Sequence, residues 1–124
     1  MVTNILYLMK RHEDVIDYDA LIIRVMAADV MVMSNASAIW IFMRTMIQGG
    51  AKKIVVDLHG LEYIDSSGIN VLIESAKLIR QYKGDIVLLN VPERILTLFK
   101  PINLNRFINI FNTEDEVINF FKLI

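Results

Sequence analysis

Two hydrophobic periods alternate along the chain, and the points where one gives way to the other divide it into elements. "ILYLMK" (5–10) and "ALIIRV" (20–25) are short apolar runs joined by the polar "RHEDVIDYD", and neighbours of this kind pair as an antiparallel hairpin. "KIVVDL" (53–58) and "DIVLLN" (85–90) are apolar without alternation, the pattern of strands covered on both faces of a parallel sheet. The helical period fills the intervals. "SNASAIWIFMRTMIQGG" (34–50) has Ser34 or Asn35 to cap its start and Gly49-Gly50 to end it. "SGINVLIESAKLIRQYKG" (67–84) gathers Ile69, Leu72, Ile73, Ala76 and Ile79 on one face, with Gly84 at the C-terminal cap. "PERILTLF" (92–99) predicts a short helix with Pro92 at its first position, and Pro101 prevents its continuation. "RFINIF" (106–111) alternates weakly as a last strand. "TEDEVINFFKLI" (113–124) opens with a capping box, Thr113 to Glu116, and turns Val117, Phe120 and Phe121 inward.

The predicted order is β-β-α-β-α-β-α-β-α. Strands alternating with helices imply an α/β sandwich with a mainly parallel central sheet, right-handed crossovers and an antiparallel N-terminal edge. A length of 124 residues without repeats or linkers predicts one domain, 1–124. Hydrophobic residues make up 55% and charged residues 22%, which excludes a disordered chain. The formal charge of −1, with no basic run, lacks the footprint of a nucleic-acid binder. The absence of cysteine excludes disulfides and thiol chemistry and fits a reducing compartment. The N-terminus does not read as a signal peptide. The apolar stretches, cut by Arg24, Asp29 and Arg44, fall short of the roughly 20 residues that span a bilayer, so a cytoplasmic protein without membrane insertion is expected.

"YIDSSGIN" (63–70) sets a carboxylate, two hydroxyls and a glycine between a buried strand and the helix after it. In open α/β sheets functional groups gather at such carboxyl ends of strands. Asp65, Ser66, Ser67 and Gly68 stand at a helix N-terminus, where backbone N–H groups are unsatisfied and the dipole favours anions. A phosphate on Ser66 would bring a charge of about −1.5 to −2 to those donors while Asp65 repelled it. Plain capping by Asp and Ser explains the same residues, and the two roles are compatible.

With its surroundings, "VVDLHGLEYIDSSGINVLIESAKLIRQYKGDIVLLNVPERILTLFKPINL" resembles the STAS domain, the fold of bacterial anti-sigma factor antagonists. The resemblance covers about residues 53 to 121 and includes the D-S-[ST]-G junction. It implies that Ser66 is a phosphate acceptor, that the kinase is an anti-sigma factor with a histidine-kinase-like ATPase fold, and that a PP2C-type phosphatase removes the phosphate. It further implies that the unmodified form binds the anti-sigma factor and frees the sigma factor. Where many members carry Gly-Glu-Leu-Asp, this chain has "AADVM" (27–31), so Asp29 is the one carboxylate left in the loop that helps contact the kinase.

Other candidates are weaker. His59 follows the buried strand and is a conceivable base for Ser66, but no orienting acid or oxyanion site accompanies it; with His12 as the only other histidine, neither metal-ligand spacing nor an enzyme is expected. No phosphate-binding glycine loop is present, and no cofactor is expected. The 34–50 helix is apolar nearly all round, which suits either a deeply wedged helix or an exposed patch and leaves a homodimer open. Val71, Leu78 and Tyr82 form a second stripe on the 67–84 helix, either against a neighbouring helix or as a partner footprint beside Ser66. The expectation is an anti-sigma factor antagonist, not an enzyme, with Ser66 as the switch. Asp65 shapes the turn, and Ser67, Gly68, Asp29 and Val71 share the contact surface, with Gly68 admitting a partner backbone. The alternatives are a STAS scaffold module without a phosphate cycle, in a signalling or transporter-associated assembly, and a small hydrolase using Ser66.

Overall fold

A computed structural model describes residues 5–10, 22–27 and 29–123. His12 and the 11–19 linker lie outside the described residues. Strands β1 (Ile5–Lys10), β2 (Ile22–Ala27), β4 (Lys53–Asp57), β6 (Asp85–Leu89) and β7 (Asn109–Phe111) form one sheet in the order β1-β2-β4-β6-β7. β1 pairs antiparallel with β2, and every other neighbouring pair in this sheet is parallel. A second, two-stranded parallel sheet joins β3 (Val30–Met31) to β5 (Tyr63–Ile64).

The period of two divides each central strand between two cores. Ile54 and Val56 of β4 join Ile23, Val25, Ile86 and Leu88 on the face covered by helices α1 (Met33–Gln48) and α2 (Ser66–Gln81). Val55 joins Ile22, Val87 and Leu89 on the opposite face, beneath helix α5 (Glu114–Lys122) and its Val117 and Phe121. This explains why the strands read as continuously apolar: both sides are covered. α5 starts as its capping box requires, with the Thr113 hydroxyl accepting from the Glu116 N–H at 3.2 Å and Glu116 accepting from the Thr113 N–H at 3.0 Å. Phe120 is half-buried, its ring centroid 5.6 Å from that of Phe111.

Several local details differ from the sequence reading. α1 begins at Met33, and Asn35 acts from inside the first turn, accepting from the Val32 N–H at 2.8 Å and donating to the Val30 carbonyl. Its apolar surplus is absorbed by its own chain: Ile39, Met43 and Ile47 are buried, and Ala36, Trp40, Phe42 and Met46 pack partly against the same core. Exposed apolar side chains on the helix are reduced to Met33, Ile41 and Ala38, so little of the envisaged patch remains. Helix α3 (Glu93–Phe99) has Pro92 just outside it, followed by a 3-10 turn (Lys100–Ile102) and a short helix α4 (Leu104–Phe107), which takes in the first two residues of the run expected to be the last strand. At the end of α2 the left-handed residue is Lys83 (φ 66°), not Gly84. Gly84 is needed for another reason: a Cβ there would press on the Lys52 carbonyl oxygen and lie 2.9 Å from the Lys52 Cα.

Candidate functional site

β5 delivers the chain to Asp65 in an extended conformation (φ −105°, ψ −175°), and α2 starts at the next residue. The Asp65 carboxylate closes two helices at once. Its Oδ1 accepts from the backbone N–H groups of Ser67 (2.8 Å) and Gly68 (3.1 Å), and its Oδ2 accepts from the N–H of Met33 (3.0 Å), the first residue of α1. Neither helix has an acidic residue in its first turn, so this carboxylate supplies the negative charge that two helix dipoles favour. Desolvation pushes the Asp65 carboxyl up, but the N–H groups of Gly68, Met33 and Ser67 outweigh it and hold the group below its ordinary value. The Asp65 N–H donates in turn to the Met31 carbonyl at 3.1 Å.

Because Asp65 does the capping, Ser66 does not. Ser66 is the first residue of α2; it is exposed, and its hydroxyl takes part in no hydrogen bond among the described residues. Ser67 is half-buried and faces a cleft between α1 and α2. Asp29 is exposed, and its carbonyl accepts from the N–H groups of Glu62 (2.7 Å) and Tyr63 (3.3 Å), which fixes its loop beside the strand leading into Asp65.

Two expected contact residues lie inside the molecule. Gly68 is buried, and the close approach it permits is to its own chain: a Cβ there would collide with the Met31 carbonyl oxygen and come within 2.7 Å of Ile64 Cγ1. Gly68 therefore seats α2 on the β3–β5 sheet and does not admit a partner backbone. Val71 is 5% exposed and packs in the core beneath the helices. Leu78 also packs against that core, so the second stripe of α2 is mostly internal, with Tyr82 as its exposed end. The exposed apolar residues adjoining Asp65 are ones the sequence reading passed over: Met33, 77% exposed and hydrogen-bonded through its N–H to Asp65, and Tyr63, 54% exposed and two residues before it.

The cleft has a volume of about 380 Å³ and is lined by Ala36, Ser37 and Trp40 of α1 and by Ser67, Asn70, Val71 and Glu74 of α2. A separate polar cluster occupies the α5 side of the sheet. Asp57, fully buried at the end of β4, is ion-paired with Arg24 of β2, and Arg24 reaches Glu114 at the start of α5 (3.0 Å). The second Asp57 oxygen accepts from the His59 N–H (3.0 Å) and faces His59 Nδ1 (2.9 Å). Burial pushes the Asp57 carboxyl up, but the Arg24 guanidinium and the His59 N–H overcome this and hold it below its ordinary value. His59 thus has an orienting carboxylate that the sequence reading did not find, though this carboxylate ties it to the α5 side of the sheet. No group of three or more metal-ligating side chains occurs among the described residues.

Among the described residues no helix is long and apolar enough to cross a membrane. Residues 2–117 match the STAS domain family. BtrV of Bordetella bronchiseptica, named as a candidate anti-sigma factor antagonist, is 28% identical over 92 residues, 72% of this chain and 77% of that protein. The anti-sigma-B factor antagonist of Listeria monocytogenes is 34% identical over 62 residues, 50% of this chain and 54% of that protein. The structure of the anti-sigma factor antagonist SpoIIAA in its unphosphorylated form superimposes with a TM-score of 0.66 at 18% identity, covering 96% of this chain and all of that one.

Proposed function

From the premise that the chain belongs to the STAS domain family, we propose that it is an anti-sigma factor antagonist whose binding is switched by phosphorylation of Ser66. The observation that carries this reading is the division of labour at the junction. Asp65 accepts from N–H groups at the start of α2, so the Ser66 hydroxyl is exposed, hydrogen-bonded to none of the described residues, and available for modification without cost to the fold. The names of the two relatives support the choice of partner.

The partner is an anti-sigma factor with a histidine-kinase-like ATPase fold, which docks on the surface around Ser66. Exposed Met33, Tyr63 and Asp29, with half-buried Ser67, extend that surface. The kinase transfers the γ-phosphoryl group of ATP to Ser66 Oγ, the hydroxyl proton leaving as the O–P bond forms and ADP departs. The product carries about −1.5 to −2 charges beside the Asp65 carboxylate. The helix N-termini favour the new dianion locally, while the partner's facing surface must desolvate it, so affinity falls. A PP2C-type phosphatase hydrolyses the ester and restores the binding form.

Binding of the purified chain to the anti-sigma factor of the same cells tests the switch. Ser66→Ala should bind as the unmodified protein does, and Ser66→Asp should bind at least about tenfold more weakly, equivalent to about 1.4 kcal/mol. Equal affinity of the two variants, or no phosphate on Ser66 after incubation with that partner and ATP, would sink the proposal.

A further inference from the structure

The cleft between α1 and α2 has a chemistry of its own. Its volume of about 380 Å³ lies at the small end of the range for organic-ligand sites. Trp40, Ala36 and Val71 supply apolar surface, with the indole as the one aromatic wall. Ser37, Ser67 and Asn70 supply neutral hydrogen-bonding groups, and Glu74 the only formal charge. Among the described residues Glu74 is engaged by Lys77, at 3.5 Å across an exposed i,i+3 pair, and such a pair is weak enough for a ligand to displace. An anionic guest would meet the Glu74 carboxylate, and a purely apolar one would strip water from four polar side chains without replacing it. A flat ring bearing a positive N–H group meets every wall, since a cation is attracted to an indole face and a charged N–H donor pairs with a carboxylate.

We propose that this cleft binds a small planar aromatic cation, such as an arylamidine or a protonated amino-heterocycle, with its ring against Trp40 and its N–H groups toward Glu74. The site is separate from the Ser66 hydroxyl, and the proposal does not rest on phosphorylation. Trp40 is the chain's single tryptophan, so indole emission excited beyond the absorption of the four tyrosines reports on this cleft.

The test is a fluorescence titration of the full chain with benzamidine, alongside its neutral isostere benzamide and the anion benzoate. Benzamidine should change Trp40 emission saturably, benzamide should bind at least about tenfold more weakly, and benzoate should not bind. Glu74→Gln, at a partly exposed position that leaves the core untouched, should bring benzamidine down to the affinity of benzamide. No saturable change up to about 10 mM benzamidine, equal binding of benzamidine and benzamide, or unchanged benzamidine affinity in Glu74→Gln would each overturn the proposal.

Discussion

Gly68→Ala isolates the way α2 is seated. A methyl group at this position points into the β3–β5 sheet, against the Met31 carbonyl oxygen, with Ile64 Cγ1 at 2.7 Å and Met31 Cβ at 2.8 Å. The Ile64 side chain could rotate away, but the Met31 carbonyl is backbone and already accepts the Asp65 N–H at 3.1 Å. Relief therefore requires α2 to lift or Met31 to shift, and either movement loosens that bond. Overpacking of this kind costs about 1–3 kcal/mol, and a weakened hydrogen bond about 1 kcal/mol. Alanine's better helix propensity returns up to about 1 kcal/mol. The expected loss is about 2 kcal/mol, read in urea denaturation as a lower midpoint at unchanged m-value. Gly60→Ala is the control, because its nearest neighbour, the Ala27 carbonyl oxygen, would be 3.5 Å away, an ordinary contact. A Gly68→Ala protein as stable as the parent, or one destabilised no more than Gly60→Ala, would refute the claim that this glycine is required by the seat.

Asp57→Ala leaves the Arg24 guanidinium half-buried with Glu114 as its remaining acidic partner among the described residues, and should cost about 3 kcal/mol at neutral pH in the same denaturation assay. Because the folded Asp57 carboxyl titrates below its ordinary value, its contribution is complete above the usual carboxylate range and fades as the pH falls through the lowered value, so the gap between parent and variant should narrow on acidification. Asp65→Asn should likewise lower stability at neutral pH and flatten the acid limb, the folded Asp65 carboxyl also being held low; a deficit of the same size at neutral pH and at about pH 2 would contradict its assignment as a charged double cap. Ser75 is fully buried on α2 and its hydroxyl has no hydrogen-bond partner among the described residues, so Ser75→Ala should raise stability by about 1 kcal/mol, and a loss would show that the hydroxyl has a partner in solution.

Where a single element's period carried the information, the fold was legible. The central strands and the α5 capping box follow directly from residues 53–58, 85–90 and 113–116. The short pieces were not: β3 and β5 have two residues each, too few for a period, and exist because their partner strand holds them. The junction could be read as a helix start. That Asp65 also caps α1 depends on a contact 32 residues away in sequence. Similarly, Arg24, Asp57 and Glu114 meet across separations of 33 and 90 residues. The hint was there in "KIVVDL", where a carboxylate ends a strand covered on both faces and must find a cation. Gly68 and Val71 were placed on the outside because helical spacing gives an angle around an axis and does not say which neighbours cover it. The cleft belongs to the same class, since it exists only in the spacing of two helices.

The capping of α2 by Asp65 has an evolutionary corollary for its neighbour. A side chain that is exposed and hydrogen-bonded to none of the described residues adds little to folding, so drift at position 66 should leave the protein intact. Any selection that holds a hydroxyl there acts through what other molecules do to it. Position 65 is under the opposite regime, because a change there is felt at the start of both helices whatever the cell's signalling requires. Adjacent residues in one motif thus answer to different judges: the first to the fold and, on the proposed function, the second to its partners.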